Sequence, residues 1–275
     1  MLFLTHNPCA LLHEYVDWYW LYEGYHPAQR LERLLPDGTF ELCINLRDEV
    51  RHTYDRESHK PLTAYRGAWL SGTHSRHIVI DATPDSSMMG VHFKPGGAAC
   101  VLGMPAGEMT DRVVGLDSVS GRAGLELREA LLDSPTPTGK FAVLESFLLR
   151  LAKRGRSRSP AIRHALRQFS TESGMLSIAS VANELGWSHK HLVQRFRDEV
   201  GLTPKRFCRI QRFRAVLQAI EQQRQVAWAD LACACGYFDQ AHFIREFRDF
   251  SGLSPSLYLT QRGEYLGYVP VPEAG

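Results

Sequence analysis

Two short stretches of the C-terminal third carry side chains suited to pairing with planar, hydrogen-bonding surfaces. In the first, Leu192 and Phe196 stand four residues apart and claim one side of a predicted helix. His189, Lys190, Val193, Gln194 and Arg197 are left on the other side. In the second, Phe243 and Phe247 do the same and leave Gln240, Ala241, Ile244, Arg245 and Arg248 outward, with His242 among the early positions. Gln and Arg each offer two groups in one plane, so each can make bidentate hydrogen bonds to a base edge in the major groove, where every base pair shows a distinct pattern. The plain alternative is a solvated polar face.

What positions these side chains is a sentence written twice. Leu185 to Pro204 reads LGWSHKHLVQRFRDEVGLTP, and Cys235 to Pro255 reads CGYFDQAHFIREFRDFSGLSP. Gly186 matches Gly236, Phe196 matches Phe247, Arg197 and Asp198 match Arg248 and Asp249, Gly201 matches Gly252, and Pro204 matches Pro255. Ahead of the first glycine, Ile178, Val181, Ala182 and Leu185 fall at helical spacing, and Gly186 supplies the left-handed residue that ends that helix. Ser188 and Asp239 then cap the second helix of each copy. Between the copies an uninterrupted helical pattern runs from Thr203 to about Gln223, with Pro204 in its first turn. Some 20 residues at 1.5 Å each span roughly 30 Å, close to one turn of duplex DNA at about 34 Å.

Charge separates the two ends of the chain. Ala152 to Gly275 holds 18 Lys and Arg against 11 Asp and Glu, a balance of +7; Met1 to Leu151 holds 14 against 19, a balance of −5. Arg197, Lys205, Arg206, Arg209 and Arg248 are the expected phosphate contacts, joined by Arg163, Arg167, Arg212 and Arg214 as further basic groups on the same unit. Ala152 to Pro160, AKRGRSRSP, has the composition of a basic, flexible linker at which cleavage should separate two domains.

The segment from about Ser159 to Thr260 resembles the DNA-binding domain of AraC/XylS-type transcriptional regulators. Both glycine turns, both Phe-Arg-Asp steps and both Gly-Leu-x-Pro exits are present. The resemblance implies an all-α unit with two helix-turn-helix motifs joined by a long helix. Carried over by position, it implies base contacts from Lys190, Val193, Gln194, Gln240, Ala241, His242 and Arg245. Val193 and Ala241 depart from polar readers and could touch only thymine methyls. The expected partners are double-stranded DNA, RNA polymerase, a small-molecule effector and a second copy of the chain.

The N-terminal half is less explicit. Short apolar segments, Phe40 to Leu46, His77 to Ile80 and Met89 to Phe93, are punctuated by turns at Pro36-Asp37-Gly38, Pro84-Asp85 and Pro95-Gly96-Gly97, a pattern of strands in a barrel or sandwich. Helices are predicted near Gly97 to Leu102, Gly121 to Leu132 and Thr138 to Leu151. The last carries an apolar stripe that fits a dimer interface or its own barrel equally. With its LPDG turn, Leu35 to Gly38, and its V-x-F-x-PGG step, Val91 to Gly97, this half resembles the domains found ahead of AraC-type modules. Such domains are often cupin-like barrels that bind an effector or dimerise. The expected class is therefore α+β and multidomain: a cupin-like β-barrel or sandwich with helices over 1–151, a linker over 152–160, an all-α DNA-binding domain over 161–262 and a tail over 263–275.

Within that half, Trp18, Trp20 and Tyr22 of the aromatic run from Tyr15 are the ligand-binding candidates, against a plain role in packing. His74, His77 and His92 with Glu41 are residue types that bind metals, yet the closely spaced His-x-His followed by Glu of cupin metal sites is missing. No metal and no cofactor are expected. Neither a Gly-x-Ser-x-Gly elbow nor a phosphate or dinucleotide loop is present, and Cys43 and Cys100 lack the Pro-Cys-His-Arg setting of the methyltransferases some AraC-type modules are fused to, so no catalytic residue is expected. The rival readings are a ligand-binding or metal-dependent enzyme fused to a DNA-binding module, and a ligand-independent dimeric DNA binder. At 275 residues and 44% hydrophobic the chain can bury two cores, and it shows neither a membrane-length apolar stretch nor a signal peptide, so the cytoplasm is expected. Its six cysteines show no disulfide or zinc spacing; Cys233 and Cys235 read as small core residues.

Overall fold

The computed structural model describes residues 1–27, 29–171, 177–221 and 226–272. The N-terminal half is a sandwich of two antiparallel sheets. Its strands are β1 (Leu2–His6), β2 (Val16–Tyr25), β3 (Leu31–Leu34), β4 (Glu41–Asn45), β5 (Arg51–Tyr54), β6 (Pro61–Tyr65), β7 (Ala68–Ser71), β8 (Ile78–Asp81), β9 (Ser86–Phe93) and β10 (Val113–Gly115). The first sheet has the order β1-β2-β9-β4-β7-β10. Alternation along β2 sends Tyr19 and Leu21 to one face, and an irregularity between Val16 and Trp18 puts Val16 there too, where they join Leu42, Ile44, Met89, Val91 and Phe93. That face is covered by α1 (Gly97–Leu102), α2 (Leu116–Ser120), α3 (Arg122–Asp133) and α4 (Pro137–Ala152).

The expected stripe on α4 buries Phe141, Leu144, Phe147 and Leu148 in this same core. Of the two uses open to it, the chain's own sandwich takes the stripe. The aromatic run divides by the same alternation: Tyr19 enters the helix-covered core, whereas Trp18, Trp20 and Tyr22 point toward the second sheet.

The C-terminal half is helical: α5 (Pro160–Thr171), α6 (Ile178–Glu184), α7 (His189–Val200), α8 (Pro204–Glu221), α9 (Trp228–Ala234), α10 (Gln240–Ser251) and α11 (Pro255–Gln261). One apolar core holds it together, built on Phe169, Phe196, Phe207, Phe213, Phe243 and Phe247. The long connecting helix is α8, about 27 Å over its 18 residues; residues 222–225, to which the sequence pattern extends, lie outside the described residues.

Two features depart from a pair of beads on a flexible string. The chain returns after α11 as β11 (Tyr268–Val271), which pairs antiparallel with β3 and completes the second sheet in the order β11-β3-β8-β5-β6. The tail is thus part of the sandwich. The basic linker is also bound: Arg156 N–H donates to Cys100 O at 2.9 Å, and Arg158, 9% exposed, donates to Pro95 O at 3.0 Å and lies over the Tyr15 ring. The helical unit is thus tethered by chain at both ends and packed against the sandwich. Cys233 also differs from expectation and is exposed.

Candidate nucleic-acid interface

Each copy of the duplicated sentence folds into the same hydrogen-bonded turn. Gly186 (φ 66°) and Gly236 (φ 76°) adopt the left-handed conformation that a side chain would penalise. In the first copy Gly186 N–H donates to Asn183 O and Trp187 N–H to Ala182 O; in the second Gly236 N–H donates to Cys233 O and Tyr237 N–H to Ala232 O, at 2.9 to 3.0 Å throughout. This is the doubly bonded helix ending in which orphan carbonyls are satisfied by the residues that follow. Ser188 Oγ then accepts from His191 N–H at 3.2 Å and Asp239 Oδ1 from His242 N–H at 2.6 Å, starting α7 and α10.

Burial follows the expected division of faces except at Ile244, expected outward, which packs against the helical core instead. Leu192, Phe196 and Val200 are buried on α7, and Phe243, Phe247 and Phe250 on α10. Lys190, Gln194, Gln240, Ala241 and Arg245 are exposed, and Val193 and His242 half-buried. Gln194 Nε2 donates to Asp198 Oδ1 at 2.8 Å, so its amide is already oriented along the outer face. His242 leans inward, 3.5 Å from the buried Glu246.

The basic residues divide into two groups. Arg197, Lys205 and Arg248 are exposed. Arg206 and Arg209 are engaged within the chain: Arg206 bonds Asp249 at 3.1 Å and the Ser75 carbonyl, while Arg209 bonds Glu246 and Asp249. Both guanidiniums also lie over the Phe250 ring, at 4.7 and 5.4 Å from its centroid. Arg163 pairs with Glu14, and Arg212 and Arg214 reach the carbonyls of Gly236 and Asp37. The α8 arginines thus anchor α10 to α8 and both to the sandwich.

One residue was missed by sequence reasoning. The turn of the second copy is one residue longer, Tyr237-Phe238-Asp239 where the first has Trp187-Ser188, and the extra position presents Phe238 at 92% exposure. The signal was visible as a shift of one in the register of the repeat after its glycine.

The sandwich grips both copies from behind. Gly201 and Gly252, matched residues that end α7 and α10, each meet a residue of the loop after β7: Thr73 packs on Gly201 and the His77 ring on Gly252. His77 N–H donates to Phe250 O at 2.8 Å, Thr110 Oγ1 donates to Gly201 O, and Arg76 pairs with Asp249 at 2.9 Å. Burial pushes the His77 imidazole down to about 4, which keeps it neutral. The turn after β3 supplies a second grip. Leu35 is buried in the helical core, Phe207 lies against Gly38, and Gln211 of α8 donates to Asp37 O at 3.3 Å.

From that turn a bonded chain leads into the sandwich. The His92 Nε2 is 3.6 Å from Asp37 Oδ2, its Nδ1 is 2.6 Å from Glu41 Oε2, its ring stacks on Trp18 at 4.2 Å, and Trp20 Nε1–H donates to Glu41. Burial alone would lower the His92 pKa, but Glu41 and Asp37 outweigh it and raise it to about 9. The four residues considered as metal ligands are therefore scattered: His74 bonds Ser71 Oγ at 2.8 Å, His77 faces Phe250, and only His92 and Glu41 meet, as an ion pair. Burial raises the thiols of Cys43 and Cys100, the reverse of what a reactive cysteine requires.

Residues 181–261 match the family model described as a helix-turn-helix domain, and residues 4–115 match one described as a domain of unknown function, DUF6597. The sequence comparison with curated proteins found no match. Solved structures similar to the chain include ToxT from Vibrio cholerae, at 9% identity and a TM-score of 0.49, covering 94% of this chain and 98% of that one. The C-terminal domain of AraT, a response regulator from Geobacillus stearothermophilus, is similar at 24% identity and a TM-score of 0.36, over 43% of this chain and 94% of its own. The AraC-like transcriptional activator CuxR is similar at 16% identity and a TM-score of 0.23, over 79% and 86%.

Proposed function

We propose that this chain, an AraC-type double helix-turn-helix domain behind a DUF6597 sandwich, is a sequence-specific DNA-binding transcription regulator whose N-terminal half senses a small molecule. The observation that carries the reading is the pair of capped helices, α7 and α10, whose outer faces stay open while their C-terminal ends are held. Lys190, Val193 and Gln194 would read one major-groove segment, and Gln240, Ala241, His242 and Arg245 the next. Arg197, Lys205 and Arg248 would bind phosphates and give the salt-dependent part of the affinity. Arg206 and Arg209, expected in the same role, are committed to Asp249, Glu246 and Ser75 and would have to exchange those partners to reach DNA. Among the described residues no helix is long and apolar enough to cross a membrane.

The test is selection of bound fragments from genomic DNA by the full-length protein at fixed salt. A motif of two short half-elements about one helical turn apart is expected. Arg245→Ala should cost about 1–3 kcal/mol on specific DNA and less on non-specific DNA. Equal loss on both would make Arg245 a phosphate contact, and binding with no motif at all would refute the regulator.

A further inference from the structure

The two sheets of the sandwich do not close on an apolar core. The register turns Trp20, Tyr22 and Trp69 of the first sheet and Arg51 and Tyr268 of the second toward one another. Trp20, Tyr22, Trp69 and Tyr268 stay half-buried and belong to none of the apolar clusters among the described residues. Large aromatic faces turned inward yet left partly exposed point to a cleft between the sheets.

At one end of this cleft sits a cation without a bonded acid. Arg51 is 4% exposed, and its Nε and Nη2 atoms are buried with no hydrogen-bond partner among the described residues. Among the described residues no carboxylate bonds Arg51: Glu49, two residues before it, keeps one buried oxygen unpartnered, and three others are engaged elsewhere. Glu32 accepts from the Tyr25 hydroxyl at 2.6 Å, Glu41 is paired with His92, and Asp81, which feels the Arg51 charge, accepts from His52 N–H at 3.0 Å. Ser86 Oγ is likewise buried, with the Tyr22 hydroxyl beside it. The Tyr22 hydroxyl lies close to both: burial raises it to about 12 while Ser86 and Arg51 pull it back. Buried charges in folded proteins are paired. Nε and Nη2 form one edge of the guanidinium, the edge that receives a planar oxyanion through two parallel N–H···O bonds.

We propose that the cleft binds a small organic acid, its carboxylate received by the Nε/Nη2 edge of Arg51 beside Ser86 and Tyr22, its apolar body lying against Trp20, Trp69 and Tyr268. The proposal rests on the reading of the N-terminal half as a sensor. Gly90 fits it, since a side chain there would collide with the Trp20 ring, which lies flat over the strand. Occupancy also has a route outward: Trp20 is bonded to Glu41, Glu41 to His92, and His92 reaches the Asp37 turn that seats on α8.

The experiment uses the full-length chain with phenylacetate, indole-3-acetate and octanoate as probes, against phenylacetamide, indole-3-acetamide and tryptamine. Thermal melts and tryptophan fluorescence are read for each. At least one acid should raise Tm by about 3 °C at tenfold excess over its Kd, whereas amides and the amine do not. Arg51→Lys keeps the charge but loses the fork, and should weaken that acid at least about tenfold. Arg51→Met should abolish the response and raise the Tm of the unliganded protein, because it removes a buried charge that has no partner. A response to tryptamine instead of the acids, no response to any acid at several millimolar, or a Tm lowered by Arg51→Met would each overturn the site. The same wild-type preparation is put through DNA selection. A clean motif beside failed acids refutes the acid site alone, and absence of a motif refutes the regulator whatever the acids do.

Discussion

At the scale of single residues, the informative side chains are those whose exposure or charge runs against expectation. Phe238 is one. At 92% exposure it contributes almost nothing to the core, yet it stands in the turn immediately before the helix that carries Gln240 and Arg245. An aromatic ring so placed gains only by meeting something else, and thymine methyls and sugars flank a recognition helix in the major groove. Phe238→Ala should leave Tm unchanged and weaken DNA binding by about 1 kcal/mol, roughly fivefold; titration of labelled DNA beside thermal melts checks both, and unchanged affinity would return Phe238 to an idle surface role. His92 is the second case. Its pKa of about 9 in the folded chain lies above the ordinary 6.5. Such a group stabilises fully below about 6.5 and loses that contribution as pH rises through about 9. Melts from pH 6 to 10 should therefore show Tm falling toward the alkaline end, with a flatter profile for His92→Gln. Parallel profiles for the two proteins would mean that the Glu41 pair does not control this range.

Elements show how far spacing alone can be read. The two glycine turns, the caps at Ser188 and Asp239 and the long α8 were legible because each rests on local chemistry: a left-handed residue, a side-chain acceptor for an orphan N–H, an unbroken 3.6-residue pattern. The direction of the α8 arginines was not legible. A basic residue on a helix beside DNA looks the same in sequence whether it faces phosphate or a carboxylate 40 residues away, and Arg206 and Arg209 face Asp249 and Glu246. That pairing makes a stability claim. Glu246 is 5% exposed, so Arg209→Ala leaves a buried carboxylate with only Arg212 and His242 near it. A loss of about 2–3 kcal/mol is expected in chemical denaturation. Glu246→Gln added to Arg209→Ala should recover part of that loss, because the stranded charge is then gone. Strict additivity of the two substitutions would show that they do not interact.

For the whole molecule, the decisive contacts join residues far apart in sequence. The basic composition of 152–160 predicts a flexible linker. Composition carries no information on what the segment packs against, and here Arg156 and Arg158 are bonded to the sandwich and β11 returns to pair with β3. A four-residue strand with Pro270 at its centre is also too short and too weakly patterned to be seen in advance, and it becomes a strand only because β3 offers an open edge. The result is a helical unit held between the bound linker and β11, with Thr73 and His77 of one loop seated on the matched ends of α7 and α10. A protease cut confined to residues 153–157 should accordingly leave the two pieces co-eluting in native gel filtration, and they should part only in denaturant. Stopping the chain after Arg262 removes β11 and with it Tyr268 and Val271, so the edge of the second sheet is bared and the cleft loses a wall. That truncated protein should melt several degrees lower in its sandwich, judged by a few kcal/mol of lost ladder and apolar burial. If the sandwich instead melts unchanged without β11, the tail is an ornament and the two halves are coupled through the bound linker, the Thr110 and Glu14 contacts, the loop after β7 and the turn at Asp37.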